Sequence, residues 1–533
     1  MSFIDVLYKI LPILLLLAVV GVVIWRLPKV EIKHTKEFES RRRMNWIFLG
    51  LTYAFLYFGR YNLAVVRDTL LSTKDRACDA LLHGSACGIL DNEMFGRIFA
   101  VGAVVYGLSV VINAPLCDRL GGRKTLMIGA IGASIANLLM GLFMFHHDAV
   151  TSATGLSVQT VLIPLFALNM YFQSFGAISI VKVNSAWFHV RERGIIGGIF
   201  GILISLGYYF AFDWNTIIVG NLPVSFAFII PAGVLFLMFL VTVFIVRDSP
   251  EAAGLGAFNT GDATSGDTGP RMPVLQVFKK ILTNPIILTI ACIEFCSGYI
   301  RDGIMQWGTN AAKAIESHHG EFIFSNWGMV SCCAGIMAGI TAGIISDRVF
   351  QSRRGPVAAI LYGGLLGLCL TLFLVLGNGL LGYVFAAMVL CVIGVHGMLS
   401  GTASMDFGGS KNAGIATGII DGFAYVGSAT STLILGTFLP NAKVDPEYAA
   451  NPDNWTIWPK LLLPAIVIGL ILSSRIWNAT VKKSTPKAEP APDKADKPAD
   501  AIGASDAKAD DASDAKADEA KASDEAKPVA DPA

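Results

Sequence analysis

YAFLYFGRYN, residues 53–62, sets a cation in the middle of a stretch otherwise suited to a lipid bilayer. Tyr53, Tyr57 and Arg60 fall at i, i+4 and i+7, which is one stripe of a helix. An arginine at mid-bilayer costs about 2.5–3.5 kcal/mol on insertion scales, so Arg60 must face a partner or a wet chamber rather than lipid. The reading of the whole chain turns on whether this stretch is a membrane span.

The bulk properties say that it is. The chain has 533 residues, 54% hydrophobic and 15% charged, with mean hydropathy +0.59. A soluble chain of that length carries more charge and shorter apolar runs. Apolar runs of about 20 residues recur, the length that crosses roughly 30 Å of hydrocarbon as helix. Spans are expected near 3–25, 45–70, 95–115, 124–146, 157–181, 194–212, 221–246, 286–310, 325–346, 356–377, 380–404, 413–437 and 459–480. The first, FIDVLYKILPILLLLAVVGVVIW, has a long apolar core and no small-residue cleavage site before its basic flank, so it reads as a retained helix. The expectation is an all-α membrane protein with one extra N-terminal helix ahead of a twelve-helix body.

Lys and Arg concentrate in alternate connectors: 26–45, then Arg119, Arg123 and Lys124, then Arg191 and Arg193, then Arg247 with Lys279 and Lys280, then Arg348, Arg353 and Arg354. LGNGLLG at 376–382 has none, while the loop 71–94, with Lys74 and Arg76, is an exception. The positive-inside rule then puts the N-terminus outside and the C-terminal tail in the cytoplasm. That tail, 481–533, is Ala, Asp, Lys, Pro and Ser, repeats DAKAD at 506–510 and 514–518, and reads as a disordered acidic tether. The expected organisation is 1–43 extra helix and basic connector, 44–247 first six-helix bundle, 248–284 cytoplasmic linker, 285–480 second six-helix bundle, and the tail. Cys78 and Cys87 share one outside loop and could pair in an oxidising compartment, a pairing that spacing alone leaves open.

The two halves echo one another. NAPLCDRLGGRK (113–124) and GIISDRVFQSRRG (343–355) both carry Asp-Arg followed by paired cations at a tight inside turn. Asp118, Arg119 and Arg123, with Asp347 and Arg348, are therefore expected to hold an inside gate. Arg60 has its own echo in Arg301, deep within CIEFCSGYIRDGIMQW (292–307). Two guanidiniums facing one chamber repel, and an oxyanion relieves both through bidentate hydrogen bonds. The competing reading pairs each arginine with a buried acid, for which Glu294, Asp302 and Asp421 are the candidates. These acids are also where a coupling proton would sit. His396 is read either as a titrating ligand near the chamber or as a packing histidine. His146-His147 and His318-His319 read as solvated loop pairs without the companions a metal site needs. No nucleotide-binding, metalloprotease or nucleophile motif occurs, so no cofactor, no metal and no enzymatic activity are expected, and the charge pattern suggests no nucleic-acid partner.

CDRLGGRK resembles the GxxxDRxGRRK signature of the major facilitator superfamily, which implies two pseudo-symmetric six-helix bundles around a central chamber exposed alternately to either side. YAFLYFGRYN resembles the first-helix motif YxxYYxxRxN of the organophosphate:phosphate antiporters within it, the group of glycerol-3-phosphate and hexose-phosphate transporters. YIRDGIMQW (299–307), WFHVRERGIIGG (187–198) and GFAYVGS (422–428) are similar to that family's RYGILDW, WWSxxERGG and GYLGG segments. The resemblance implies that Arg60 and Arg301 bind substrate phosphate, with Tyr53, Tyr57, Tyr106, Tyr425 and Lys182 around them. There are departures. Where glycerol-phosphate members carry a His before WW, a second-helix Lys, a seventh-helix Asp and a double Pro in the fourth helix, this chain has Ala186, Val110, Gln306 and Ile178-Ser179. Asp302, Glu294, His396 and Asp421 are polar additions. The expected function is a monomeric inner-membrane carrier exchanging an organophosphate for inorganic phosphate. The alternatives are a proton-coupled symporter of another organic anion, or a transporter-like sensor whose extra helix or tail contacts a protein partner.

Overall fold

The computed structural model describes residues 35–71, 84–189, 203–256, 258, 260, 273–315, 321–350, 353–441 and 445–479, and contains helices and connectors with no β-strand among them. The expected span 3–25, the tail 481–533, Cys78, His318-His319 and the side chains of Asp347 and Arg348 lie outside the described residues. In chain order the helices are α1 (Lys36–Phe58), α2 (Asn62–Leu71), α3 (Asn92–Leu120), α4 (Gly122–Phe145), α5 (Val158–Gln173) and α6 (Phe175–Trp187). Next come α7, a helical run over 203–219 with a π-turn at Phe210–Trp214, and α8 (Phe226–Phe244). The second half contributes α9 (Val274–Leu282), α10 (Pro285–Met305), α11 (Trp327–Ile344), α12 (Arg354–Val375), α13 (Leu381–His396), α14 (Ser404–Phe438) and α15 (Ile457–Arg475).

Side-chain caps set several starts. Thr35, Asp91 and Ser157 accept the backbone N–H groups of Phe38, Met94 and Thr160 at 3.2, 2.7 and 3.2 Å. Asn284 caps α10, with Pro285 at its first turn. Between α3 and α4 the chain reverses at Gly121, whose φ of +91° is open to glycine at low cost. Nine described helices are long and apolar enough to cross a membrane, or ten if α9 and the helix after it, bent by 78°, count as one span. The expected count of one plus twelve is not reached among the described residues, because span 194–212 is only partly described and span 45–70 is broken.

That break sits at 59–61, where a continuous span was expected, and it places Arg60 on a turn. The carbonyls that the break releases need donors in an environment without water. Asn169 on α5 donates to Gly59 O at 2.8 Å and Asn215 on α7 donates to Phe58 O at 3.2 Å. A Cβ at Gly59 would lie 2.7 Å from Asn137 Nδ2, so the turn is also packed tightly against α4.

Glycines bring key helices together. A Cβ on Gly298 of α10 would lie 1.9 Å from Ala424 O of α14, and one on Gly427 of α14 would lie 2.0 Å from Phe295 O of α10. The halves also cross closely: Cβ atoms at Gly418 and Gly422 of α14 would lie 2.8 and 3.0 Å from the carbonyls of Val110 and Gly107 on α3. Large apolar side chains such as Ile112, Phe244 and Leu374 stay exposed on the outer surface, as a lipid-facing belt requires. His147, read from the sequence as solvated, is buried: its Nδ1 meets Met144 O at 3.0 Å because the helix that follows α4 turns the ring inward. Cys87 is disulfide-bonded, and the other cysteines among the described residues are free thiols.

Candidate anion-binding site between the two halves

Arg60 is fully buried, and no carboxylate pairs with it among the described residues. Its Nη1 donates to Tyr425 Oη at 2.6 Å and its Nε to Gln173 Oε1 at 3.3 Å. Three ring faces surround the guanidinium, with centroids 4.4 Å (Tyr57), 4.9 Å (Tyr106) and 5.9 Å (Tyr425) from Cζ. Ring quadrupoles stabilise a desolvated cation without neutralising it. Behind Arg60 runs a chain of amides: Gln173 donates to Asn169 Oδ1 at 3.3 Å, Asn137 donates to the same oxygen at 3.0 Å, and Asn62 donates to Asn137 Oδ1 at 2.7 Å. This network fixes the turn that carries Arg60.

Arg301 approaches from the second half. Its Cζ lies 5.5 Å from the Tyr425 ring centroid, so one tyrosine touches both guanidiniums. Tyr106 stacks on that tyrosine at 3.6 Å between centroids, and Tyr53 Oη lies 3.4 Å from Tyr57 Oη. The neighbouring Asp302 takes Arg301 Nε at 3.6 Å. Neighbours on a helix point about 100° apart, yet these two side chains come within ion-pair reach. Nη2 of Arg60 and Nη2 of Arg301 have no hydrogen-bond acceptor among the described residues, although both residues are buried. Buried guanidinium N–H groups left unpaired are costly, and an oxyanion is the ligand whose geometry satisfies them.

The remaining sequence candidates divide. Lys182 does not join the arginines; its Nζ pairs with Asp118 Oδ1 at 2.8 Å, and the Asp118 carboxylate lies against Gly414 of α14. Arg123 ties the α3–α4 turn to the end of α8, through its backbone N–H to Asp248 Oδ1 at 2.8 Å and its Nη2 to Val243 O. Arg119 is exposed. His396 Nδ1 meets Glu294 Oε2 at 2.7 Å within the second half, and Asp421 accepts from Ser400 Oγ. These acids therefore leave Arg60 alone.

Arg67 was missed in the sequence. It is buried one further i+7 step from Arg60, donates to Gln306 O at 3.2 Å and Asn92 Oδ1 at 2.9 Å, and covers the Trp307 ring at 4.2 Å. Asp213 was missed too: its carboxylate accepts the backbone N–H groups of Gly328 and Met329 at the start of α11, both at 2.8 Å. Both contacts join the halves at the end opposite Asp118. The spacing from Arg60 and an acid inside an aromatic run were the available signals.

The sequence pattern of the Major Facilitator Superfamily matches residues 49–432. The chain is 25% identical to the glycerol-3-phosphate transporter of Bacillus subtilis (strain 168), over 72% of this chain and 84% of that protein. It is 26% identical to the membrane sensor protein UhpC of Salmonella typhimurium, over 86% and 98%, and 23% identical to a probable hexose phosphate transport protein of Chlamydia trachomatis, over 84% and 93%. Among solved structures, a bacterial homologue of the human lysosomal transporter Spinster superposes with a TM-score of 0.56 at 11% identity, covering 83% of this chain and 97% of that one, which supports the fold. None of these proteins is named as an enzyme. The chain belongs to the Major Facilitator Superfamily, beside the organophosphate:phosphate antiporters that its motifs resemble.

Proposed function

We propose that the chain is a secondary transporter that exchanges a small organophosphate for inorganic phosphate by alternating access, in a bacterial inner membrane, with its tail in the cytoplasm. The observation that carries this reading is the pair of buried arginines on one tyrosine, Arg60 from the first half and Arg301 from the second, each with an N–H left without an acceptor. A phosphoryl dianion between them offsets their repulsion and draws the halves together. The loaded carrier then passes through the closed state more easily than the empty one, which produces exchange rather than leak. On this reading Asp118–Lys182 and Arg123–Asp248 hold the cytoplasmic end, and Asp213 and Arg67 hold the other.

The test is counterflow in proteoliposomes loaded with inorganic phosphate, without any proton gradient. Labelled phosphate and glycerol 3-phosphate should enter in exchange for internal phosphate. Uptake that needs a proton gradient and ignores internal phosphate would contradict exchange. The match to the Salmonella membrane sensor over 98% of that protein supports a second reading, a receptor for the same ligand class. Binding of organophosphate by purified protein together with no counterflow would favour the receptor.

A further inference from the structure

The short helix ahead of the span that carries Arg301 takes no part in the anion site, and its surface suits another contact. α9, VLQVFKKIL, follows Pro273 and is bent by 78° from the helix after it, so where α10 crosses a bilayer α9 lies along the bilayer surface. The corner is held by hydrogen bonds. Thr283 N–H donates to Lys279 O at 2.9 Å, Asn284 N–H donates to Ile281 O at 3.1 Å, and Asn284 Oδ1 accepts from Ile286 N–H at 3.0 Å. At about 100° per residue the side chains of α9 sort into three arcs. Val277 and Ile281 form the buried arc, on a helix that packs against α10 and α14. Gln276 and Lys280 are exposed on the polar arc. The third arc is apolar and uncovered: Leu275 is 81% exposed and Leu282 44%, with exposed Lys279 beside them. α10 presents exposed Leu288 near its own start. Neither lysine pairs with an acid among the described residues, and α9 itself contains no acidic residue.

We propose that α9 is an interfacial helix that binds the acidic phospholipid headgroups of the leaflet at the start of α10, with Leu275 and Leu282 among the acyl chains and Lys279 and Lys280 at the level of the phosphates. Leucines held in water on a helix whose other apolar side chains are covered are unfavourable; against lipid the same edge is buried. Lys279 stands about 40° around the helix from Leu275. Its methylene stem lies along the apolar edge while its ammonium reaches outward to a phosphate. Lys280 supplies a second cation on the other flank, and two cations without an acid favour an acidic lipid over a zwitterionic one. A protein partner fits less well. α10 and α14 already cover part of the apolar surface, and two leucines fall far short of the roughly 1,000 Å² that a stable protein interface buries. The leaflet is the cytoplasmic one on the same distribution of Lys and Arg that orients the chain. The inference does not depend on the arginine pair; it needs only that α10 spans the membrane. Because the corner at 283–284 is held on both sides, a lipid-bound α9 anchors the end of the helix that carries Arg301.

The test uses the full-length chain reconstituted in vesicles of phosphatidylcholine mixed with phosphatidylglycerol. A bimane fluorophore is attached at Leu275→Cys or, as the control on the polar arc, at Gln276→Cys; the unsubstituted chain gives the background from native cysteines. The label at 275 should be quenched by nitroxide-bearing lipid and shielded from aqueous iodide, and the label at 276 should show the reverse. Nitroxide-bearing phosphatidylglycerol should quench the label at 275 more than equally labelled phosphatidylcholine, by up to about fivefold for each lysine. Lys279→Gln together with Lys280→Gln should erase that preference. Equal access of iodide to 275 and 276 overturns the interfacial placement. Equal quenching by the two lipids with both lysines present, or a preference unmoved by their removal, overturns the recognition of acidic headgroups. All four positions are exposed, and the comparison of lipids needs no lysine variant, so a poorly folded double variant leaves the test decisive. None of these readouts requires transport, so failure of the exchange proposal is read separately.

Discussion

At the scale of single residues, the site is a balance between one cation with no carboxylate partner among the described residues and one cation beside a carboxylate. Arg60 is held by Tyr425, Gln173 and three ring faces; Arg301 lies 3.6 Å from Asp302. Tyr425→Phe removes the 2.6 Å hydrogen bond to Arg60 while keeping the ring that both guanidiniums touch. A charge-assisted hydrogen bond contributes about 1.5–3 kcal/mol, so phosphate affinity should fall by about tenfold to a hundredfold, read by equilibrium binding. An unchanged affinity would show that the tyrosine does not position Arg60. The arginines were legible in the sequence because a cation in mid-span must face a partner or a chamber. Arg67 was not, since a cation nearer a span end is ordinarily read as snorkelling to the interface. Nor were the partners of Lys182 and His396 legible. Lys182–Asp118 and His396–Glu294 join residues far apart in sequence, and periodicity carries no information about which helices become neighbours.

At the scale of elements, two features place these residues: the break in the first described span and the glycine crossings. The break at 59–61 escaped the sequence reading because Gly59 is a weak signal without a proline; its stabilisation comes from Asn169 and Asn215 on distant helices. The crossing of α10 and α14 is tight enough that a methyl group on Gly298 would overlap Ala424 O. Gly298→Ala should therefore force the helices apart, costing about 1–3 kcal/mol or more because the obstacle is backbone. The thermal midpoint of the purified protein should drop by several degrees. Gly363, whose added Cβ meets nothing within 4 Å, is the control, and its Ala variant should melt as wild type. Equal melting of the two variants would refute the close packing.

At the scale of the whole molecule, the halves touch on both sides of the arginine layer. At one end Asp118 lies against Gly414; at the other Asp213 accepts the first N–H groups of α11 and Arg67 donates to the Gln306 carbonyl. A carboxylate on a helix N-terminus is a favourable contact, which the proposed alternating access would have to break. Gly328 lies so near that its added Cβ would be 3.0 Å from Asp213 N, so cysteines at 213 and 328 should cross-link on oxidation. In a background with Cys332 and Cys333 changed to Ser, oxidation should stop exchange and reduction should restore it. Continued exchange by fully cross-linked protein would show that this end need not open. The helical membrane architecture was readable from span length, whereas contacts between the halves depend on close approaches that no local pattern encodes.

The most direct measurement is equilibrium binding of labelled inorganic phosphate to purified wild type, Arg60→Lys, Arg301→Lys and the double variant. Lysine keeps the charge and loses the planar fork. If both guanidiniums grip one phosphoryl group, each single change should cost about tenfold to a hundredfold in affinity, and the double should cost clearly less than the product of the two, because the residues act on one ligand. Near-wild-type binding by either single variant, or fully independent losses, would contradict a shared clamp.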